Sequence, residues 1–329
     1  MVQLIAPNIY RIAVGLPNSP LKVLNSYVIT GGQRNLIIDT GFNRPECLEF
    51  LKNGLDEIGL DMSETDIFVT HLHADHCGLV SQIMSPESRV YMSEPDWQLF
   101  HSATTKPDTY WLPMEQLFIR EGYPEEELIR SRLHHPGRKF LSEAPFDCIF
   151  IKDGDFLPYG GGQLQCVSTP GHTPGHMCLY DPERQILFTG DHLLFDISPN
   201  IATWETMPDA LSYYLQSLEK VSQLPIEQAL TAHRENEGDF QKRVEELQHH
   251  HAERLADIME IVAESPGING YEVTSRMKWS IRAASWEDFP PGQRWFAVGE
   301  AIAHLNHLVD SGDITRTVRD GIHTYTITV

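Results

Sequence analysis

Apolar positions fall into short blocks along the first ninety residues, with turn formers between the blocks. MVQLIAPNIYRIAVG reads as an alternating strand. KVLNSYVIT and NLIIDTG are β-rich runs on either side of Gly31-Gly32, the signature of a hairpin. In PECLEFLKNGLDEIGL the residues Leu48, Leu51, Leu55 and Ile58 recur three or four apart, which predicts a helix with one buried face. DIFVT is a short strand that runs straight into His71. From about 94 to 147 the rhythm changes. EPDWQLFHSA, MEQLFIREGY and EEELIRSRLHH are helix-like pieces separated by prolines, and they read as an inserted helical cap. Strand patterns resume at CIFIK, LQCVSTPG, MCLYD and QILFTGD, and MPDALSYYLQSLEKVSQL predicts a helix with Pro208 in its first turn.

The final ninety residues have a different pattern. Phe240, Val244, Leu247, Leu255, Ile258 and Val262 form one stripe on a long helix beginning near Asp239. In FAVGEAIAHLNHLVDSGDI, Val298, Ile302, Leu305 and Val309 mark another helical face, with Gly312 as its C-cap. ITRTV and HTYTITV flank Asp320-Gly321, a two-residue hairpin signal. Helices followed by a hairpin suggest a winged-helix-like domain over 239–329, after a larger domain over 1–238.

Composition narrows the function classes. The formal charge of -21 opposes attraction to nucleic acid or to an anionic membrane surface. No stretch approaches the roughly 18 apolar residues of a membrane span, and the opening residues lack the basic and apolar regions of a signal peptide, so the expected location is cytoplasmic. Cys47, Cys77, Cys148, Cys166 and Cys178 form no CxxC pair, which argues against a disulfide framework or a thiolate zinc knuckle. Acidic residues outnumber basic ones in the tail too. The tail is therefore expected to pack on the larger domain, or on a second copy of the chain as a homodimer, and not to bind DNA.

The chemistry concentrates in histidines. His71-Leu72-His73-Ala74-Asp75-His76 puts four potential ligands within six residues, a density that calls for a loop wrapped around metal. His172 in STPGHTPGH, Asp191 in FTGDH and His233 in LTAHR each follow an apolar run, so each is expected at a strand end facing that loop. Imidazole and carboxylate together suit two divalent ions, zinc first, with manganese or iron also compatible. Asp75 is the candidate for orienting the nucleophile and passing a proton to the leaving group. Cys77, beside the loop, reads as a buried bystander, and His249, His250 and His251 as a mostly solvated helix face.

These residues resemble the metallo-β-lactamase superfamily: the HxHxDH segment, the later His, Asp and His, and Asp39 of LIIDTG match over approximately residues 1 to 235. STPGHTPGHMCLY and ILFTGDHLL are similar to the branch that holds glyoxalase II and β-lactamase-like protein 2. The resemblance implies an α/β fold of the αββα sandwich type. It also implies that His71, His73 and His172 hold one metal, that Asp75, His76 and His233 hold the other, and that Asp191 bridges them. A hydroxide between two cations would then be the nucleophile of a hydrolase. Asp39 either fixes a ligand imidazole from behind or ends its strand in a turn with Thr40 and Gly41. Arg234 departs from the Gly or Glu that usually follows the last ligand; it either binds an anionic substrate group or pairs with Glu235 or Glu237. The expected substrate is an ester, thioester or lactone. A metal-dependent endoribonuclease or phosphodiesterase is the alternative enzyme, and a metal-retaining regulator the alternative without catalysis.

Overall fold

A computed structural model of the chain describes residues 2–234, 237–280, 283 and 285–328. The chain opens with a meander of β1 (Val2–Ala6), β2 (Ile9–Gly15), β3 (Val23–Ile29) and β4 (Asn35–Ile38). The opening segment is thus two strands where its alternation suggested one. Pro7 cannot donate to a ladder and Asn8 takes φ 65°, so the chain turns there. Helix α1 (Pro45–Ile58) follows and ends at Gly59, whose φ of 76° lets its N–H reach back to Asp56 and Leu55. Then come β5 (Thr65–Phe68), the short helices α2 (Ala74–Cys77) and α3 (Val80–Ile83), and β6 (Val90–Ser93). Five helices make up the insertion: α4 (Glu94–Thr105), α5 (Pro107–Tyr110), α6 (Leu112–Arg120), α7 (Glu125–His134) and α8 (Pro136–Lys139). They lead to β7 (Ile149–Ile151), which completes a seven-stranded sheet in the order β1 to β7.

A second sheet runs β12-β11-β10-β9-β8, built from β8 (Phe156–Leu157), β9 (Leu164–Ser168), β10 (Met177–Asp181), β11 (Ile186–Gly190) and β12 (Gln228–Thr231). Helix α9 (Ala210–Ser222) connects the last two. Asp209 caps that helix by accepting from Ser212 N, so Pro208 lies before the cap and not in the first turn.

Strand alternation sorts the side chains into layers. Tyr27, Ile29, Leu36, Ile38 and Phe68 of the first sheet meet Cys166, Met177, Leu179, Phe188 and Leu230 of the second in one buried cluster. The neighbouring positions Leu24, Val28, Ile37 and Ile67 face the other way, onto Leu51 and Leu55 of α1. Cys178, Tyr180 and Leu187 likewise face outward onto Leu211, Tyr214 and Leu218 of α9. Helix, sheet, sheet, helix is the αββα sandwich expected.

The tail comprises α10 (Phe240–Glu264), β13 (Ile268–Asn269), α11 (Gly270–Arg276), α12 (Pro291–Asp310), β14 (Ile314–Arg319) and β15 (Ile322–Ile327), its strands ordered β13-β15-β14. Asp320 and Gly321 both have positive φ, as a type I′ hairpin requires. The tail packs on the insertion. Trp111, Phe118, Tyr123 and Leu128 share a core with Trp295, Val298 and Ile302 of α12, and Glu121 accepts from Tyr325 Oη (2.9 Å) and from His323 Nδ1 (2.6 Å). No described helix is long and apolar enough to cross a membrane.

One histidine departs from the solvated face expected of 249–251. His249 is exposed beside Glu253, but His251 is fully buried and its Nδ1 lies 3.0 Å from Nε2 of His304. Burial pushes His304 down to about 3, with Arg254 and His307 adding to the effect against the Glu300 carbonyl, and burial also holds His251 well below its ordinary value. In the unfolded chain a histidine takes up its proton near 6.5, so between that pH and about 3 the unfolded state binds more protons. Stability should therefore fall on acidification below pH 6.5, by about 1.4 kcal/mol per pH unit for His304 alone. Urea midpoints at pH 7.5, 6.5 and 5.5 test this. His304→Gln should start lower and show a shallower slope, and parallel slopes would refute the attribution.

Candidate metal centre

The strand edges deliver the candidate ligands to one place. His71 and His73 lie just past β5, His172 past β9, Asp191 at the end of β11 and His233 past β12. Asp75 and His76 sit on the single turn α2, so the segment is a bend running into a helical turn, not a loop throughout. That turn swings His76 away from His73 and toward the far side of the site.

Two groups of atoms result. His71 Nε2 lies 3.1 Å from His73 Nδ1, which lies 2.9 Å from His172 Nε2. On the other side, His233 Nε2 lies 3.4 Å from both Asp75 Oδ2 and Asp191 Oδ1, and His76 Nε2 lies 3.7 Å from Asp191 Oδ1. Asp191 Oδ2 turns to His172 Nε2 at 3.6 Å, so its two oxygens face different groups. Metal-to-imidazole bonds of about 2.0–2.1 Å place neighbouring donors roughly this far apart around one ion.

The fit can be tested on the atoms themselves. His76 Nε2, His233 Nε2 and Asp191 Oδ1 are buried and without hydrogen-bond partners. Three such orphans converging on one point would be costly unless a cation satisfied them. The donor set of imidazoles and carboxylates suits divalent ions of the zinc type.

Most rings are also fixed from behind. The carboxylate of Asp39 takes His76 Nδ1 at 2.8 Å and accepts from Thr70 N and Thr70 Oγ1, and Asp39 adopts φ 59° to do so. Thr70 Oγ1 lies 2.9 Å from His71 Nδ1. His233 Nδ1 donates to Val23 O and His172 Nδ1 to Asn200 O, both at 2.8 Å. Such contacts set each ring's tautomer and leave the inward nitrogen free to bind. Burial alone would push the Asp75 and Asp191 carboxyls up, but His76 and His233 hold Asp75 below the usual carboxylate range, and His233, His76 and His172 hold Asp191 well below it. Burial and the neighbouring rings keep His71 and His73 neutral.

Other candidates fall outside the cluster. Cys77 is buried, its Sγ donating to Leu72 O. Arg234, at φ 59°, donates from Nη2 to Pro20 O at 3.1 Å, while Glu235 lies outside the described residues. His176 joins Thr169 Oγ1 at 2.8 Å and accepts from Asp191 N, which places it behind that candidate ligand. His192 is buried against Tyr214. In the insertion, Trp97 stacks on His101, and Arg132 and Arg138 turn to Glu115.

Two residues near the site carried no sequence signal. Trp204 lies parallel to His73, 6.2 Å away, and donates to His172 O. Asp96, in the first turn of α4, accepts from Leu72 N, Thr173 Oγ1 and Gly175 N, tying the first ligand segment to the second. Gly175 has no alternative there, because a Cβ would stand 2.1 Å from Ser93 Oγ.

Comparison with known proteins identifies the fold and the family. The family model described as the metallo-beta-lactamase superfamily matches residues 21–233, and one described as the metallo-beta-lactamase-like C-terminal domain matches 288–328. The lactamase-like protein adaB of Aspergillus niger is 24% identical, over 92% of this chain and 90% of its own length. The human acyl-coenzyme A thioesterase MBLAC2 is 28% identical over 51% of this chain and 57% of its own. The crystal structure of a metallo-beta-lactamase family protein from Thermus thermophilus superposes with a TM-score of 0.83 at 27% identity, covering 98% of this chain and all of that one.

Proposed function

Because the chain belongs to the metallo-β-lactamase superfamily and is a hydrolase, we propose that it cleaves an acyl thioester of a small carrier thiol at a two-ion centre. The observation that carries this reading is Asp191, whose two oxygens face two separate donor groups. Two bound cations would supply Lewis acidity to a water and to the acyl carbonyl. His71, His73 and His172 would hold one; Asp75, His76 and His233 the other. Asp39 keeps the His76 ring turned inward, and Thr70 does the same for His71. Asp75, whose Oδ2 faces His233, takes the proton that the attacking water loses and returns it to the departing sulfur. Water adds to the acyl carbon, the C–S bond breaks, and a carboxylic acid and a thiol leave.

The substrate class rests on surroundings, since a hydroxide can attack carbon or phosphorus alike. A charge of -21 repels a polyanion far more than a small acyl compound, which disfavours the nuclease alternative. Arg132 and Arg138 of the insertion are engaged by Glu115. The name of the human relative points the same way. A panel of acyl thioesters, esters, lactones and labelled single-stranded RNA tests it with zinc-loaded protein. Thioesters should be hydrolysed at least about tenfold faster than RNA is cut, with Asp75→Ala at least about 10²-fold slower. RNA cleavage above every acyl substrate, absent from Asp75→Ala, would make the nuclease reading the better one.

A further inference from the structure

The tail reaches the metal centre through a chain of hydrogen bonds. His172 donates from Nδ1 to Asn200 O at 2.8 Å. The side chain of the same asparagine is held by α12: its Nδ2 donates to Glu300 Oε2 at 2.7 Å and to Phe296 O at 3.3 Å. The second oxygen of Glu300 pairs with Arg254 Nε of α10 at 3.1 Å, and the Arg254 guanidinium lies 4.3 Å over the Trp279 ring. The buried carboxylate is therefore fixed on one oxygen by Arg254 of the tail and on the other by Asn200. The rest of the segment is pressed down by the same helix. Thr203 N donates to Gly299 O, Asn306 Nδ2 donates to Pro208 O, and a Cβ on Gly299 would stand 3.2 Å from Ala202 Cβ.

We infer that Glu300 is a positioning residue for the metal centre: through Asn200 it fixes the His172 ring, so the C-terminal domain sets the affinity of the His71–His73–His172 site. The inference rests on the two-ion reading above. An imidazole binds metal through Nε2 only while Nδ1 keeps its proton, and the proton stays where an acceptor is held for it. Here the acceptor is the Asn200 carbonyl, and its direction follows from where the Asn200 side chain is anchored. Without Glu300 that anchor is lost, and the ring of His172 gains freedom that metal binding must then remove. Loss of a partner behind a ligand typically weakens metal binding roughly 10- to 100-fold.

A purely architectural contact would loosen both ion sites alike, which makes the two roles separable. The full-length protein is loaded with cobalt(II), and a chelator is titrated in while the visible spectrum reports the departure of each ion. His73→Ala identifies which step belongs to the His71–His73–His172 site. In Glu300→Ala that step should move by about tenfold in chelator and the other should stay, while Glu300→Gln, which keeps an acceptor for Asn200, should stay within about twofold of the parent. Asn200→Ala should move the same step as Glu300→Ala, and it carries the test if the latter fails to fold. Titrations that superimpose on the parent, or equal shifts of both steps, overturn the inference. A parent protein that takes up one ion or none overturns the two-ion reading and this inference with it, so the two failures are distinguishable.

Discussion

Purified protein is expected to hold about two divalent ions per chain, and Asp191→Ala to lose both, with kcat/KM falling by about 10³ or more, some 4 kcal/mol of transition-state stabilisation. The size of the effect follows from position. Asp191 Oδ1 stands 3.4 Å from His233 Nε2 and 3.7 Å from His76 Nε2, while Oδ2 stands 3.6 Å from His172 Nε2. A single truncation would therefore remove a donor from each group, together with the carboxylate that faces both, and leave buried imidazole nitrogens facing each other. His73→Ala should behave differently, since His73 Nδ1 faces the His71 and His172 nitrogens of one group. It should deplete one ion and leave the other near full occupancy. Cys77→Ser is the control. Burial pushes the Cys77 thiol well above its ordinary value, so no thiolate is available, and metal content and rate should stay within about twofold of the parent. Elemental analysis alongside steady-state rates checks all three. Full two-ion occupancy in Asp191→Ala would remove it from the site.

Much of this centre was legible because its chemistry is local in sequence. His71, His73, Asp75 and His76 announce themselves by density, and His172, Asp191 and His233 by following apolar runs that end as strands. The sandwich was legible for a similar reason: alternation in KVLNSYVIT and NLIIDTG assigns Tyr27 and Ile38 to one face and Val28 and Ile37 to the other. What stayed hidden depends on long-range contact. His251 lies on a helix whose stripe says nothing of a second histidine 53 residues later, so its burial against His304 has no local signature. Asn200 and Glu300 are ordinary polar residues until the fold brings them within 2.7 Å. The short helix at Ala74–Cys77 was missed because a single turn is too brief to show a period. Trp111, Phe118 and Tyr123 carry no local sign of what covers them, and only the position of Trp295 on α12 shows the core they share.

Asp96→Ala should destabilise the protein by about 3–5 kcal/mol and lower its affinity for the ion expected at His71, His73 and His172, a large effect for a residue that is not itself a candidate ligand. Asp96 is fully buried, and its carboxylate accepts Leu72 N at 2.9 Å, Thr173 Oγ1 at 2.7 Å and Gly175 N at 2.6 Å. Leu72 stands between His71 and His73, and Thr173 follows His172, so one side chain holds the three ligands of one group in register. Burial pushes the carboxyl up to about 6, against those three bonds, which shows how much of its charge the donors must stabilise. Truncation leaves two buried backbone N–H groups and a buried hydroxyl without an acceptor, each costing roughly 1–3 kcal/mol, with the sum reduced by whatever water enters. Asp96→Asn keeps the shape but presents an amide N–H₂ where a donor already points, so it should recover only part of the loss. The test is a urea midpoint measured with the ions chelated, which isolates the fold from the metal, followed by a chelator titration of the loaded protein. A stability loss without any weakening of metal binding would show that Asp96 braces the fold alone. Weakened binding at unchanged chelated stability would show that it acts on the ligands alone. Only the combination fits a carboxylate that joins two ligand segments through their backbone.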